Sequence, residues 1–427
     1  MTGQAVVEVP GSKSIANRAL VCAALADGAS TVHHLPDGDD TTAMLTALET
    51  LGVQIHRSGA TATLTPRRGH HTPRRARFSV TTVDAGLAGT TSRFLTALAA
   101  VDGRAITVDG GAPLRARPMG PLHEALVTLG AQVVPLQRPG HLPVTITGGD
   151  LAGGAVRLAG DVSSQFVSAL MMIGPVLRGG LVIELTTPLV SRPYVSMTAA
   201  VMAAFGASAV DVGERRITVA PGRYVATEYT VEPDASSASY PLAAAAITCG
   251  AATVAGMGHG ALQGDARFAD LLAAMGCETT ITLAGTTVRN TGALHGIDVD
   301  MVDMSDLVPT LAAVALFADS PTTIRGVGFI RAKESDRLGD LRAELARLGA
   351  DVTETGDGLA IRPAPLRGAH LGTHHDHRLG MAFGVIGLRV AGLTVDDPSV
   401  VTKSWPNYWA VLDDLRAELC PSPGATS

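Results

Sequence analysis

Apolar positions along the chain follow a pattern that recurs six times, at a spacing of roughly 70 residues. Each copy opens with a helix-length run rich in Ala and Leu. A Gly- or Pro-containing turn and a β-branched strand follow. The runs are NRALVCAALADGASTVHHL, SRFLTALAAVDGRAITVDG, QFVSALMMIGPVLRGGLVIEL, ASYPLAAAAITCGAATVAGM, DLVPTLAAVALFADSPTTIRGV and HRLGMAFGVIGLRVAGLTVDD, beginning at Asn17, Ser92, Gln165, Ala238, Asp306 and His377. A second helix comes after each strand: TTAMLTALETLGVQI, GPLHEALVTLGAQVV, SMTAAVMAAFGASAV, RFADLLAAMGCETTI and DRLGDLRAELARLGADV. The sixth, NYWAVLDDLRAEL, has no strand behind it. Most of these second helices end in Gly, which adopts the left-handed conformation of a helix C-terminus without steric penalty. Leu338, Leu341, Leu345 and Leu348 fall on one face of such a helix. The pattern predicts an α/β protein of six strand-helix-strand-helix-strand units. Two lobes of three units are expected rather than one large α/β domain, because single hydrophobic cores stop growing well below this length.

Composition narrows the class. The chain has 427 residues, is 46% hydrophobic and carries a formal net charge of −6. That balance disfavours nucleic acid or an anionic membrane as the main partner, but leaves room for a local basic cluster around a small anion. The four Cys (Cys22, Cys249, Cys277, Cys420) are far apart and form no C-x-x-C, so free thiols are expected rather than disulfides or a zinc site. The first residues, MTGQAVVEVPGSK, lack the basic and apolar regions of a signal peptide. Residues 235–267 carry no charge before Arg267 except Asp265, but Gly250, Gly256 and Gly258 cut the run, which reads as a buried helix and strand rather than a membrane span. The tail, PSPGATS, reads as disordered.

Charges gather where the helices of the repeat begin. The segments are GSKSIANR, AGLAGTTSR, LRARP, GDVSSQ, SRPY, EPDASSAS, DMSD, RAKESDR, HHDHR and TKSWPNY. Carboxylates and hydroxyls at a helix N-terminus are ordinary caps. Cations there oppose the helix dipole. Yet Lys13, Arg18, Arg93, Arg117, Lys333, Arg337, Arg378 and Lys403 all lie at or near such points. Their recurrence predicts an external anion, phosphate or carboxylate, as partner.

Other chemistries fit less well. GSKS lacks the Gly next to Lys that a P-loop requires, and Val6 stands where its first Gly would be. The HHDH run at 374–377 has no second cluster to complete a metal site, so loop or proton-shuttling histidines are preferred. No G-x-S-x-G elbow supports a nucleophilic hydrolase. Asp306 and Glu334 each suit a helix start, and among cations they could also serve as general acid and base.

Taken in order, PGSKSIANRAL, AGTTSRFLTA, LRARPM, SSQFVSAL, DASSASYPLAAAAI, SDLVPT, AKESDR, DHRLGMAF and DPSVVTKSWPNY resemble the motifs of the enolpyruvylshikimate-phosphate synthases, members of the enolpyruvyl transferase family. The resemblance runs from about Val9 to Trp409. It implies two lobes of three units with the active site in the inter-lobe cleft. Lobe one would comprise residues 1–11 and 232–427, lobe two residues 12–231, with 421–427 a loose tail.

The implied reaction joins phosphoenolpyruvate to the 5-hydroxyl of shikimate 3-phosphate, with loss of phosphate and without metal or redox cofactor. Asp306 and Glu334 would be the acid–base groups, with Lys13 and His377 close by. Lys13, Gly89, Arg117, Gln165, Arg337, Arg378 and Lys403 would hold phosphoenolpyruvate. Ser14, Arg18, Ser163, Ser164, Gln165, Ser191, Tyr194, Asp306 and Lys333 would serve shikimate 3-phosphate. A cytoplasmic monomer is expected, with these small anions as its only partners.

Leu87 and Phe329 stand where many members carry Asn, and Phe94 where others carry Pro. These departures bear on the acceptor ring and on glyphosate sensitivity. A paralogue using another cyclitol phosphate is therefore the second reading. The relative that acts on UDP-N-acetylglucosamine fits less, since its loop Cys is missing from DGGAPLRARP. A non-catalytic anion binder would gain nothing from Asp306 and Glu334.

Overall fold

The computed structural model describes residues 3–67 and 80–419; Cys420 and the tail at 421–427 lie outside the described residues. The chain forms two compact units, Gly11–Val231 and the combination of Met1–Pro10 with Glu232–Ser427.

Gly11–Val231 contains three four-stranded sheets of one design. In the middle one, strands Thr81–Asp84 and Ala105–Asp109 run parallel, with Thr81 opposite Ile106. Parallel neighbours need a crossover, which is the helix Gly89–Asp102. After the helix Gly120–Thr128 comes a hairpin of Gln132–Pro135 and Val144–Thr147. Its second strand inserts beside Ala105–Asp109, antiparallel. The structure thus adds a fourth strand to the unit read from the sequence. Such strands are only four or five residues long (TATLT, VTIT, RITV).

The first sheet of this unit is completed from far along the chain. Ser30–His33 takes Glu228–Thr230 as its parallel partner, with Glu228 opposite Thr31. The same exchange occurs in the other unit, where Gln4–Val7 lies parallel to Ala251–Ala255. That unit holds two four-stranded sheets and the short pair His370–Leu371 and Thr394–Val395.

The first helix of each repeat is mostly apolar and is largely buried, its few charged side chains included. Every residue of Ala235–Ile247, Val308–Ala315 and His377–Ile386 is buried. Small residues permit this packing: a Cβ on Gly384 would lie 2.9 Å from Leu412 and Trp409 and 3.0 Å from Tyr408. The second helices are amphipathic. Leu338, Leu341, Leu345 and Leu348 are all fully buried, as their spacing predicts. This helix starts at Gly339, later than the repeat suggests. The Asp336 carboxylate accepts from the backbone N–H of Leu338 and Gly339, at 3.2 and 3.0 Å, and ends the preceding turn. Lys333 and Glu334 therefore lie on a loop.

Among the described residues no helix is long and apolar enough to cross a membrane. Cys22, Cys249 and Cys277 are free thiols.

Candidate active site

In the unit that includes Glu232–Ser427, three buried helices present their N-terminal ends to one cluster. A 3-10 turn, Ser305–Leu307, carries Asp306 just before Val308–Ala315. Asp376 is the N-cap of His377–Ile386, accepting from Arg378 N–H at 2.9 Å. Ser236 lies in the first turn of Ala235–Ile247, capped by Asp234.

Asp306 is the centre. Its Oδ1 accepts from Lys333 Nζ at 2.5 Å and from Arg337 Nη1 at 2.9 Å. Its Oδ2 accepts from Arg378 Nη2 at 2.8 Å. Burial alone would raise this carboxyl; Arg378, Lys333 and Arg337 outweigh it and hold Asp306 well below the usual carboxylate range. Burial also pushes the Lys333 ammonium down, against the pull of Asp306.

Arg337 is 1% exposed and holds three carboxylates. Asp376, itself fully buried, grips its Nε and Nη2 at 2.6 and 3.1 Å, the two-pronged geometry that fixes a guanidinium plane. Glu334 takes a bond from Nη2 at 2.8 Å. Lys403 Nζ stands 3.8 Å from the other Glu334 oxygen. Burial opposes the Arg337 charge, but Asp376, Glu334 and Asp306 raise its pKa above the ordinary value.

Gly11–Val231 carries a second group. Lys13 opens the helix Lys13–Leu25 and pairs with Asp40 at 3.0 Å. Arg18, 1% exposed, bonds among the described residues to neutral groups: Thr198 Oγ1 at 2.7 Å, the Ser14 carbonyl at 2.7 Å, Ser168 Oγ at 3.1 Å and the Tyr194 carbonyl at 3.4 Å. The rings of Phe94 and Tyr194 lie 5.2 and 5.9 Å from its guanidinium. Burial lowers its pKa to about 10, which still leaves it charged at neutral pH. A buried cation held by hydroxyls and carbonyls is a prepared place for an anion.

Gly89 is the first residue of its helix. A Cβ there would lie 2.6 Å from Arg117 Nη1 and 2.9 Å from Arg93 Nη1, so any side chain at this position would displace the two guanidiniums from this helix end. Ser163 caps the helix Ser164–Ile173 by accepting from Gln165 N–H, and the Gln165 side-chain oxygen is buried without a hydrogen-bond partner among the described residues. Ser191, ahead of Arg192–Ala204, has φ 52, a left-handed conformation that costs energy for Ser.

The structure therefore gathers Asp306, Glu334, Lys333, Arg337, Arg378 and Lys403 into one cluster, and links Ser14, Arg18 and Tyr194 in the other unit. His377 is buried, its Nδ1 3.6 Å from Asp376. The sequence argument gave the recurring cations an external partner. Lys13, Lys333, Arg337, Arg378 and Lys403 also have carboxylate partners within the chain, which offset the cost of burying their charge.

Asp376 and Asp40 were not among the candidates. An Asp before a helix reads as a cap, and nothing local shows the arginine it grips. His374 bonds Glu344 at 3.0 Å, and among the described residues no cluster of three or more potential ligands could hold a metal. Phe329 places its ring 5.7 Å from Lys333 Nζ.

The family model for EPSP synthase (3-phosphoshikimate 1-carboxyvinyltransferase) matches residues 2–412. A Nostoc punctiforme protein named 3-phosphoshikimate 1-carboxyvinyltransferase is 42% identical over 408 residues, 95% of each chain. A protein of the same name from Methanosphaerula palustris is 42% identical over 406 residues, 94% of this chain and 95% of its own. The solved EPSP synthase of Acinetobacter baumannii superimposes with a TM-score of 0.79 at 26% identity, covering 98% of this chain and 96% of that one. With its cation-bound carboxylates on the ends of buried helices, and with relatives matched over nearly their whole length, this chain belongs to the EPSP synthase family.

Proposed function

We propose that the chain transfers the enolpyruvyl group of phosphoenolpyruvate to the 5-hydroxyl of shikimate 3-phosphate and releases phosphate, a step toward the aromatic amino acids. The observation that carries this reading is the convergence of Lys333, Arg337 and Arg378 on Asp306, beside Glu334. In the reaction, the 5-hydroxyl oxygen bonds to C2 of phosphoenolpyruvate while C3 gains a proton. The tetrahedral adduct then loses phosphate and a methyl proton.

Asp306 takes the hydroxyl proton. Glu334 delivers the proton to C3 and later removes one. Lys13 and His377 assist this proton traffic. Lys13, Gly89, Arg117, Gln165, Arg337, Arg378 and Lys403 hold phosphoenolpyruvate. Ser14, Arg18, Ser163, Ser164, Gln165, Ser191, Tyr194 and Lys333 hold shikimate 3-phosphate, together with Asp306.

The ion pairs suggest how the base is readied. Three cations make Asp306 a weak base. Substrate phosphate and carboxylate oxygens compete for those cations. As they draw them away, Asp306 regains basicity when its hydroxyl substrate is bound.

Phosphate release from phosphoenolpyruvate tests the function. It is expected with shikimate 3-phosphate, and neither with shikimate nor with UDP-N-acetylglucosamine. Turnover with another cyclitol phosphate alone would replace the acceptor and make Leu87 and Phe329, the latter beside Lys333, the first residues to replace with Asn. Arg117→Ala and Lys403→Ala should each weaken phosphoenolpyruvate binding by about tenfold or more, the loss of one charge-assisted hydrogen bond. Unchanged affinity in a titration would remove those residues from the site. The reading includes a cytoplasmic monomer independent of metal: sedimentation should give one chain, and a chelator should leave turnover unchanged.

A further inference from the structure

Asp265 is a buried carboxylate, 4% exposed, that the reaction scheme above does not use. It lies on the short 3-10 turn Gly264–Arg267, which packs against Ala235–Ile247. Its Oδ2 accepts from Ser236 Oγ at 2.5 Å. The same Ser236 oxygen accepts from Arg378 Nη2 at 3.3 Å, and that nitrogen also donates to Asp306 Oδ2 at 2.8 Å. A guanidinium has no acceptor. Ser236 must therefore present a lone pair to Arg378 and turn its proton elsewhere. An ionised Asp265 takes that proton. A neutral Asp265 could still accept that proton through one oxygen, but without the charge assistance that makes the bond to a carboxylate about twice as strong.

We propose that Asp265 is a positioning residue: through Ser236 its carboxylate fixes the Arg378 guanidinium against Asp306. The proposal rests on the reading that Arg378 and Asp306 serve the transfer reaction.

The charges around Asp265 support it. Burial raises its pKa to about 6, and the carboxylates of Asp306 and Asp234 add to the rise; Ser236 and Arg378 pull the other way. Arg267, on the same turn, pairs instead with Asp303 at 3.8 Å. The folded value lies above the ordinary 3.8. Between 3.8 and about 6 the unfolded chain has released a proton that the folded chain keeps, so stability falls as pH rises through that window. At neutral pH the ionised Asp265 is a cost to the fold.

Asp265→Asn and Ser236→Ala separate the possibilities, with kcat, KM and thermal midpoint followed from about pH 5 to 8. Asp265→Asn is expected to melt at or above the wild-type temperature near neutral pH. The amide oxygen can still accept from Ser236 but without charge assistance, so its kcat should fall about fivefold, the difference between a charge-assisted and a neutral hydrogen bond, and the acid limb of the wild-type profile near pH 6 should flatten. Ser236→Ala should lower kcat similarly and decides the matter if Asp265→Asn fails to fold. A wild-type profile in folded Asp265→Asn, or a lowered melting temperature with unchanged kcat, overturns the proposal. Asp306→Asn and Arg378→Lys are measured alongside. If both retain wild-type turnover, the site reading fails; if both fall while Asp265→Asn does not, only the positioning role fails.

Discussion

Glu334→Gln and Asp306→Asn each lower turnover roughly 10²–10⁴-fold, the range expected when a general acid or base is removed, and both proteins still bind the two substrates. Each replacement keeps the shape of the side chain and removes its charge. Glu334 is held by Arg337 at 2.8 Å with Lys403 at 3.8 Å, so Gln remains in place through Arg337 but exchanges no proton at C3. Asp306→Asn has a second signature. Lys333, Arg337 and Arg378 lose a carboxylate that substrate anions must otherwise displace. Affinity for phosphoenolpyruvate and shikimate 3-phosphate should stay level or increase while kcat collapses. Calorimetric titration beside single-turnover kinetics measures both quantities. Near-normal turnover in both variants would remove the acid–base assignment. A loss of substrate affinity as large as the loss of turnover would leave Asp306 a binding group with no role as base.

Asp376→Ala should cost about 3–5 kcal/mol of stability, the penalty for breaking a buried ion pair from one side. Arg337 is 1% exposed and would lose its two-pronged partner. The helix His377–Ile386 would also lose its cap, worth about 1 kcal/mol. Arg337 keeps Asp306 and Glu334, which limits the damage. Asp376→Asn should fall between wild type and Asp376→Ala, since an amide can still cap the helix and accept one bond. Denaturant midpoints read the difference. An Asp376→Ala midpoint equal to wild type would mean that Arg337 needs no buried carboxylate at that position.

Much of this arrangement was legible before any coordinates. The almost uncharged run at 235–267 predicted a buried helix, and every residue of Ala235–Ile247 is buried. The spacing of Leu338, Leu341, Leu345 and Leu348 predicted the covered face of the helix Gly339–Arg347. The concentration of charge at 331–337 marked the segment that supplies Lys333, Glu334 and Arg337 to the cluster around Asp306. The fourth strand of each four-stranded sheet escaped notice because a run such as RITV is short and resembles many loops. The pairing of Glu228–Thr230 with Ser30–His33 escaped because strand partners are chosen by tertiary contact, not by neighbouring sequence.

The sequence by itself determined what local rules control: helices set by a 3.6-residue period, caps set by Asp and Ser, and the order of motifs that marks the family. Tertiary structure alone decided which charges meet. Asp376 and Arg337 are 39 residues apart in the chain, yet 2.6 Å apart in space. Asp306 draws its three cations from a loop and a helix that follow it. Coulomb energy depends on distance and on the surrounding dielectric. Both are fixed only when the buried helices pack, so the protonation of Asp306, and with it the proposed chemistry, belongs to the fold rather than to any segment.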